Sequence, residues 1–537
     1  MESVTRYLLT KGCLLIRIKL MLHIKLIFHI KEIILTYNKM VASLLKVISS
    51  GIQDERLDFK HTLYPFYKVW KKAGRFTTQW ARLDFENVPQ FGNTAYCRLL
   101  RKGHLITRLF LVAEMPDIYT AQKNAREISG GDVFPHFGWT NSLGHALVQQ
   151  LTLDIAADRV ETLNSRLLEM LDEYNTPLEK LPVLNDMILR KDNGFTAQSF
   201  GNKPTPEQVV VPLPFWFTRG DSGCALPIDA MIMDETRIGI KFRQLNGSYY
   251  TDVHVTNTGG EGSSLWPILG SSFYTSNPSL NTNPEKVEGV SMPTNLQLGE
   301  CYIMAEYVYL DQPEANRFRL ADIQMPIVQH YSMDPHSTRG LMNTRINLDI
   351  PNPCRDIFFM LNREDAPTYN AHFLATRDLT GNINTLPSGA QTPWWPDATG
   401  LSAKVPGVLR PGFSLSDSEP ISGYEVNYEG NIVRFRTESP ALFRSIIPSY
   451  EQRKSPWINR YYYNIPLGIQ NGFTPFSKPQ GEANLDKINK RELIIQLRSS
   501  RGATKQTDIP TYIVYVFAET YNILRVYGGR AGVLFAY

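Results

Sequence analysis

The stretch 211–243, VPLPFWFTRGDSGCALPIDAMIMDETRIGIKFR, decides how the whole chain is read. It opens with Pro212 and Pro214 around Phe215, Trp216 and Phe217, and it closes in strict two-residue alternation. Ile238, Ile240 and Phe242 point one way, while Arg237, Lys241 and Arg243 point the other. Successive side chains of a strand take opposite faces, so this end is a half-buried strand. Between the two ends stand Gly220, Asp221, Ser222 and Gly223. The choice there is between a nucleophile loop and a polar turn joining two strands.

Chemistry favours the turn. A serine hydroxyl is a weak nucleophile and needs a histidine base that is itself oriented by a carboxylate. In trypsin-like proteases that histidine precedes the serine and sits beside a disulfide. Here the one Ala-His pair, Ala371-His372, follows Ser222 and adjoins no cysteine. Ser222-Gly223 continues into Cys224, Ala225, Leu226 and Pro227, without the Gly and Pro of an oxyanion loop. No catalytic, cofactor-binding or metal-ligating residue is assigned.

Working outward, strand follows strand. Leu151, Leu153 and Ile155 alternate with Gln150, Thr152 and Asp154, and Ile346, Leu348 and Ile350 with Arg345, Asn347 and Asp349. Leu493, Ile495 and Leu497 repeat the pattern, and 512–518 is apolar on both faces, as an inner strand of a covered sheet should be. Asn246-Gly247, Asn471-Gly472 and Gly528-Gly529 are turn signals, the first a hairpin turn overlapping the sequon that ends at Ser248. Helix is scarce. The spacing of Leu163, Leu167, Met170 and Leu171 predicts one over 162–174 capped by Thr162, with a shorter one over 181–190. Segments 256–298 and 380–420 read as long loops, which in β proteins are exposed or functional insertions.

Composition agrees. The 537 residues exceed one ordinary domain, and 43% hydrophobic with 20% charged residues describes a folded chain. A formal charge of +4 over this length gives no case for nucleic acid. Cys13, Cys97, Cys224, Cys301 and Cys354 are scattered, without a CxxC pair, and read as buried thiols in a reducing compartment. The two halves meet near Asp311, Gln312, Pro313 and Glu314, and two antiparallel sandwiches in tandem account for them.

Residues 14–35 differ from the rest: Leu and Ile are broken by Arg17, Lys19, His23, Lys25, His29 and Lys31. The interruptions are too frequent for a spanning helix, and no small-residue cleavage site follows. Two readings stand: a basic amphipathic tail at a membrane surface, or an upstream extension with initiation at Met40. The second is preferred.

The motifs resemble those of the major capsid proteins of nucleocytoplasmic large DNA viruses. Gly51, Ile52, Gln53 and Asp54, then Tyr64, Pro65, Phe66 and Tyr67, are similar to the family's opening phrases. The segment 139–148, WTNSLGHALV, resembles its strand entry, and Pro212 to Trp216 with Ala225, Leu226 and Pro227 its most specific phrase. Tyr307 to Asp311 with Arg317 and Phe318 follow, and then Asn352, Pro353 and Cys354. Lys478 to Asn484, and Tyr521 to Val526 with Gly528 to Phe535, complete the series in the family's order. Ala156 and Ala157 replace a Gly-Gly turn, which leaves that turn's type open.

The resemblance implies an all-β fold of two tandem eight-stranded antiparallel jelly rolls, with long loops and one or two short helices in the first. It divides the chain into an extension at 1–39, an N-terminal roll at 40–311 and a C-terminal roll at 312–537. It implies a structural protein and no enzyme: a homotrimeric, pseudo-hexagonal capsomer tiling an icosahedral shell. Its partners would be itself, neighbouring capsomers, minor capsid, penton and cement proteins, and an inner membrane; direct nucleic-acid contact is not expected. The place is the virion, after assembly in the host cytoplasm. A minor or scaffold paralogue, or a glycan-binding β-sandwich, are the other readings. Trp394-Trp395 and Tyr461-Tyr462-Tyr463 are read as packing rather than sugar platforms. Metal binding between His330 and His336 is disfavoured because Pro335 splays the segment.

Overall fold

The computed structural model describes residues 75–118, 135–190, 208–219, 222–256, 263–265, 269–270, 296–364, 370, 372–377, 419–429, 432–450, 454–456, 460–468, 481–499 and 509–535. All lie within one unit, Gly74–Tyr537. The extension at 1–39, Gly51–Asp54, Tyr64–Tyr67, Asn471-Gly472 and Trp394-Trp395 lie outside the described residues.

Eight strands build the first roll: β1 Phe76–Asp84, β2 Thr94–Arg98, β3 Leu105–Glu114, β4 Val148–Ile155, β5 Asp158–Asn164, β6 Gln208–Pro212, β7 Thr236–Phe242 and β8 Cys301–Leu310. Eight more build the second: β9 Ile323–Ser332, β10 Asn343–Asn347, β11 Pro353–Arg363, β12 Ile421–Tyr428, β13 Ile432–Thr437, β14 Tyr462–Pro466, β15 Arg491–Leu497 and β16 Tyr512–Tyr527. The first roll pairs as β1-β8-β3-β6 facing β2-β7-β4-β5, and the second as β9-β16-β11-β14 facing β10-β15-β12-β13. Adding eight to each index of the first roll gives the second. All the pairings are antiparallel. Two rolls of identical topology stand in tandem.

Alternation puts the cores where the sequence placed them. In β7, Ile238, Ile240 and Phe242 are fully buried while Arg237 and Lys241 are exposed. Gly239 is buried too, because the Tyr96 ring lies across it; a Cβ there would meet Thr152 Oγ1 at 2.5 Å and the ring at 3.1 Å. β16 is the inner strand expected, hydrogen-bonded to β9 on one side and β11 on the other. Its Val514 and Val516 pack inside the second roll with Phe359, Leu361 and Tyr463. Gly528 and Gly529, both at positive φ, turn β16 back into the short strand Arg530–Val533.

Other local expectations are corrected. The helix α2 runs Ser165–Asn175, because Thr162 still pairs with Thr152 in the β4–β5 ladder. Asn164, not Thr162, caps it by accepting from Leu167 N at 2.9 Å. Two helices flank it: α1, Leu143–Leu147, where a strand entry was expected, and α3, Leu181–Ile188, near its expected place. The junction between the rolls is itself a helix, α4, Gln312–Leu320, capped by Asp311 and with Pro313 in its first turn. Its sequence is polar on nearly every side, so periodicity gave no signal. Leu245–Gly247 is a 3-10 turn rather than a hairpin, since β7 and the following strand Tyr249–Thr256 belong to different sheets. Ala156 turns the β4–β5 hairpin at φ +55°, a left-handed conformation that glycine takes more readily.

Antiparallel order fixes the ends. β3 leaves the first roll at the end where β6 and β8 enter, and β11 leaves the second at the end where β14 and β16 enter. The long connections 243–300 and 364–420 therefore both spring from strand ends of this kind. Their stems meet: Asn370 Nδ2 donates to Asn246 O at 2.8 Å and Tyr249 O at 2.5 Å.

Candidate functional site: the sealed face between the rolls

A sheet in a jelly roll has an inner face toward its own core and an outer face that must find water or a partner. In the second roll, register puts Phe358, Met360, Phe517 and Tyr462 on the outer face of β11, β16 and β14. All four are buried, because the first roll lies on them. The cover is α2. Its Tyr174 ring sits 5.5 Å from that of Phe358, and its hydroxyl donates to Tyr462 O at 2.8 Å. The Arg166 guanidinium lies 4.0 Å over the Tyr515 ring. The three-and-four spacing of Leu167, Met170, Leu171 and Tyr174 buries one side of this helix.

Charges are buried with it. Glu169, Asp172 and Glu173 form an acidic stripe on α2. Arg190 reaches Glu169 at 2.6 Å and also pairs with Asp172, while His145 Nδ1 is 2.7 Å from Glu169. The second roll supplies the rest: Arg460 pairs with Glu173 and lies 3.4 Å from Glu169, and Lys454 is 3.1 Å from Glu173. Burial alone would push the Glu169 carboxyl up, but Arg190, the His145 hydrogen bond and Arg460 together hold it well below the usual range.

A second cluster lies where β5 meets β9. His330 Nδ1 faces Glu161 at 2.5 Å, and its Nε2 faces Glu519 at 3.3 Å and the Arg219 guanidinium. Arg219 reaches Glu519 at 3.0 Å. Glu519 is also held well below its usual range: burial opposes this, and Arg219, the His330 hydrogen bond and Arg355 overcome it. Alongside, Gln329 Nε2 donates to Val160 O at 2.7 Å. At the loop end His372 and the Gly247 carbonyl oxygen are 2.8 Å apart, and burial with Arg243 nearby depresses the imidazole well below 6.5.

These groups neutralise one another, and their arrangement clamps two sheets. Ser222 lies in a one-turn 3-10 segment, while Gly220 and Asp221 are outside the described residues. His330 is buried in the clamp and His336 is exposed in a separate short strand, so the segment between them splays its two histidines. Tyr461, Tyr462 and Tyr463 are buried packing residues. Among the described residues no group of three or more His, Cys, Asp or Glu is placed to hold a metal. Cys97, Cys224, Cys301 and Cys354 are buried and form no disulfide among the described residues, and burial pushes Cys97 and Cys301 up to about 12. The sequence reading missed the clamp. Its one visible signal is a run of carboxylates, Glu169, Asp172 and Glu173, among the apolar positions of a short helix.

Two family models divide the chain between them. "Major capsid protein N-terminus" matches residues 65–311 and "Large eukaryotic DNA virus major capsid protein" matches residues 316–532. The chain belongs to this family. Among relatives, "Probable capsid protein 4" of Acanthamoeba polyphaga mimivirus is 25% identical over 39% of this chain and 39% of its own length. The chain thus spans less than half of that protein. The "Major capsid protein" of Frog virus 3 (isolate Goorha) is 21% identical over 83% of this chain and 86% of its own. The fold is similar to that in "PBCV-1 virus capsid, quasi-atomic model", with a TM-score of 0.60 and 17% identity. That match covers 88% of this chain and 100% of that one.

Proposed function

We propose that this protein is the repeating stone of an icosahedral virion shell. Three copies close into a pseudo-hexagonal capsomer, and capsomers tile the faces. The observation that carries this reading is the repeated strand order, in which every pairing of the first roll recurs eight strands later in the second. Three such chains present six like units, and closed rotational symmetry limits the block. Residues 40–311 and 312–537 are taken as the two roll units, with 1–39 as an extension. The work is association without catalysis. Its partners are further copies, neighbouring capsomers, and minor capsid, penton and cement proteins, assembled in the host cytoplasm.

An obligate interface of this kind buries roughly 2,000–5,000 Å², so the capsomer should survive dilution. Light scattering on the purified chain tests the reading. A stable mass of three chains is expected; a well-behaved single chain at every concentration sinks it.

A further inference from the structure

The second roll sends a short strap across to the first. It consists of Asn370 with residues 372–377, beyond the end of β11. The later residues are tied to the second roll. Tyr462 Oη donates to Phe373 O at 3.0 Å, Asn362 Nδ2 to Leu374 O at 2.7 Å, and Tyr512 Oη to Arg377 O at 3.4 Å. The earlier residues are tied to the first roll. Thr140 Oγ1 donates to Asn370 O at 2.8 Å, Asn370 Nδ2 donates to Asn246 O and Tyr249 O, and His372 reaches Gly247 O. The strap changes hands between His372 and Phe373, and both are buried.

A carbonyl oxygen only accepts, so His372 Nε2 carries a hydrogen. The surroundings oppose a second one on Nδ1. The charged groups that bear on the ring are both cations, Arg243 at the end of β7 and Arg166 on α2. Arg243 is fixed in place: its Nε donates to Ala146 O at 2.7 Å and a terminal nitrogen donates to Ser165 Oγ at 3.1 Å. Its stem runs past Gly247, where an added Cβ would stand 3.2 Å from Arg243 Cδ. Arg166 lies over the Tyr515 ring. The titratable groups facing Arg166 are the phenols of Tyr515 and Tyr462, and a phenol gains no charge on acidification. A proton on His372 would thus put a third positive charge into a buried site that already holds two.

We propose that His372 is an acid-operated latch between the rolls: one proton on its ring frees Asn370 and His372 from the first roll, while residues 373–377 stay on the second. The device works within one chain, so it does not depend on how many copies associate. Closed, the ring resists the proton; open, it takes one at the ordinary imidazole value near 6.5. The open form therefore gains on the closed form by up to about tenfold for each pH unit below that value. Glu169 and Glu519, held well below the usual carboxylate range, stay ionised when the latch opens, so the clamps outlast it. Opening separates the stems of the connections 243–300 and 364–420 without parting the rolls. A mildly acidic compartment would loosen the molecule at this end first.

Amide hydrogen exchange on the full chain, read by mass spectrometry and scaled to the free-peptide rate at each pH, tests it. Protection over 244–249 and 372–377 should fall by about tenfold over the first pH unit below 6.5, while that of β11 and β16 holds. His372→Gln, which keeps a donor for Gly247 O, should lose this step. Asn370→Ala removes the bonds to Asn246 and Tyr249 but no titrating group, so its step should move toward neutral pH with the same steepness. Wild-type protection that ignores pH would overturn the latch, and so would an equal step in His372→Gln. Should the Gln variant fail to fold, an Asn370→Ala step that stays at the wild-type pH would overturn it as well. A fall spread over both rolls together would mark global unfolding and overturn the local release.

Discussion

Arg460 stands at the centre of the first ion cluster, between Glu169 and Glu173 of the other roll. Replacing a whole buried pair by apolar groups is often harmless, but removing one partner strands a charge in a dry place. Arg460→Met should therefore destabilise by about 3–5 kcal/mol, read as a fall in the urea midpoint with little change in slope. His372 acts in the opposite sense, because it is held neutral. The unfolded chain binds a proton near pH 6.5 and the folded one resists it, with Arg243 and Arg166 facing the ring. Its contribution is whole above pH 6.5 and shrinks as pH drops below. Glu169 and Glu519 are depressed carboxylates, so their contribution is whole above pH 4.5 and shrinks on further acidification. The melting midpoint should thus fall in two limbs. His372→Gln, which still donates to Gly247 O, should flatten the upper limb and leave the lower.

At the scale of elements, α2 is the piece that joins the halves, and it hangs on its cap. Asn164→Ala removes the bond to Leu167 N and should cost about 1 kcal/mol, measured by thermal melting; Asn164→Ser should restore most of it. Elements also show what the sequence disclosed. Strands β7, β10 and β15 were legible because one face meets a core and the other meets water, which imposes a period of two. β16 was legible from its continuous apolar run, since both its faces are covered. The junction helix α4 was not: among its residues only Ala315 is buried, so no apolar stripe announces it. The start of α2 was misplaced because Thr162 and Asn164 are both plausible caps, and only the β4–β5 ladder excludes the first. The clamp was invisible for a further reason. Glu169 and Arg460 are far apart along the chain, and local periodicity carries no record of pairing across such a separation.

The whole molecule has a repeated plan in which one outer face is sealed by α2 and, among the described residues, its twin carries no equivalent helix. The motif phrases of the family were enough to announce two rolls. The difference between their outer faces emerges only when strand order and burial are seen together: on the corresponding strands β3 and β11, Phe110 is half-buried and Phe358 is fully buried.

The clamp also constrains synthesis. The carboxylate of Glu173 leaves the ribosome 287 residues before the guanidinium that neutralises it. At about 5–20 residues per second that is a wait of roughly 15–60 s. During it Arg190 alone must balance Glu169, Asp172 and Glu173, and the apolar side of Tyr174 waits for Phe358. A nascent-chain holdase, or a translation pause late in the message, would act in this interval.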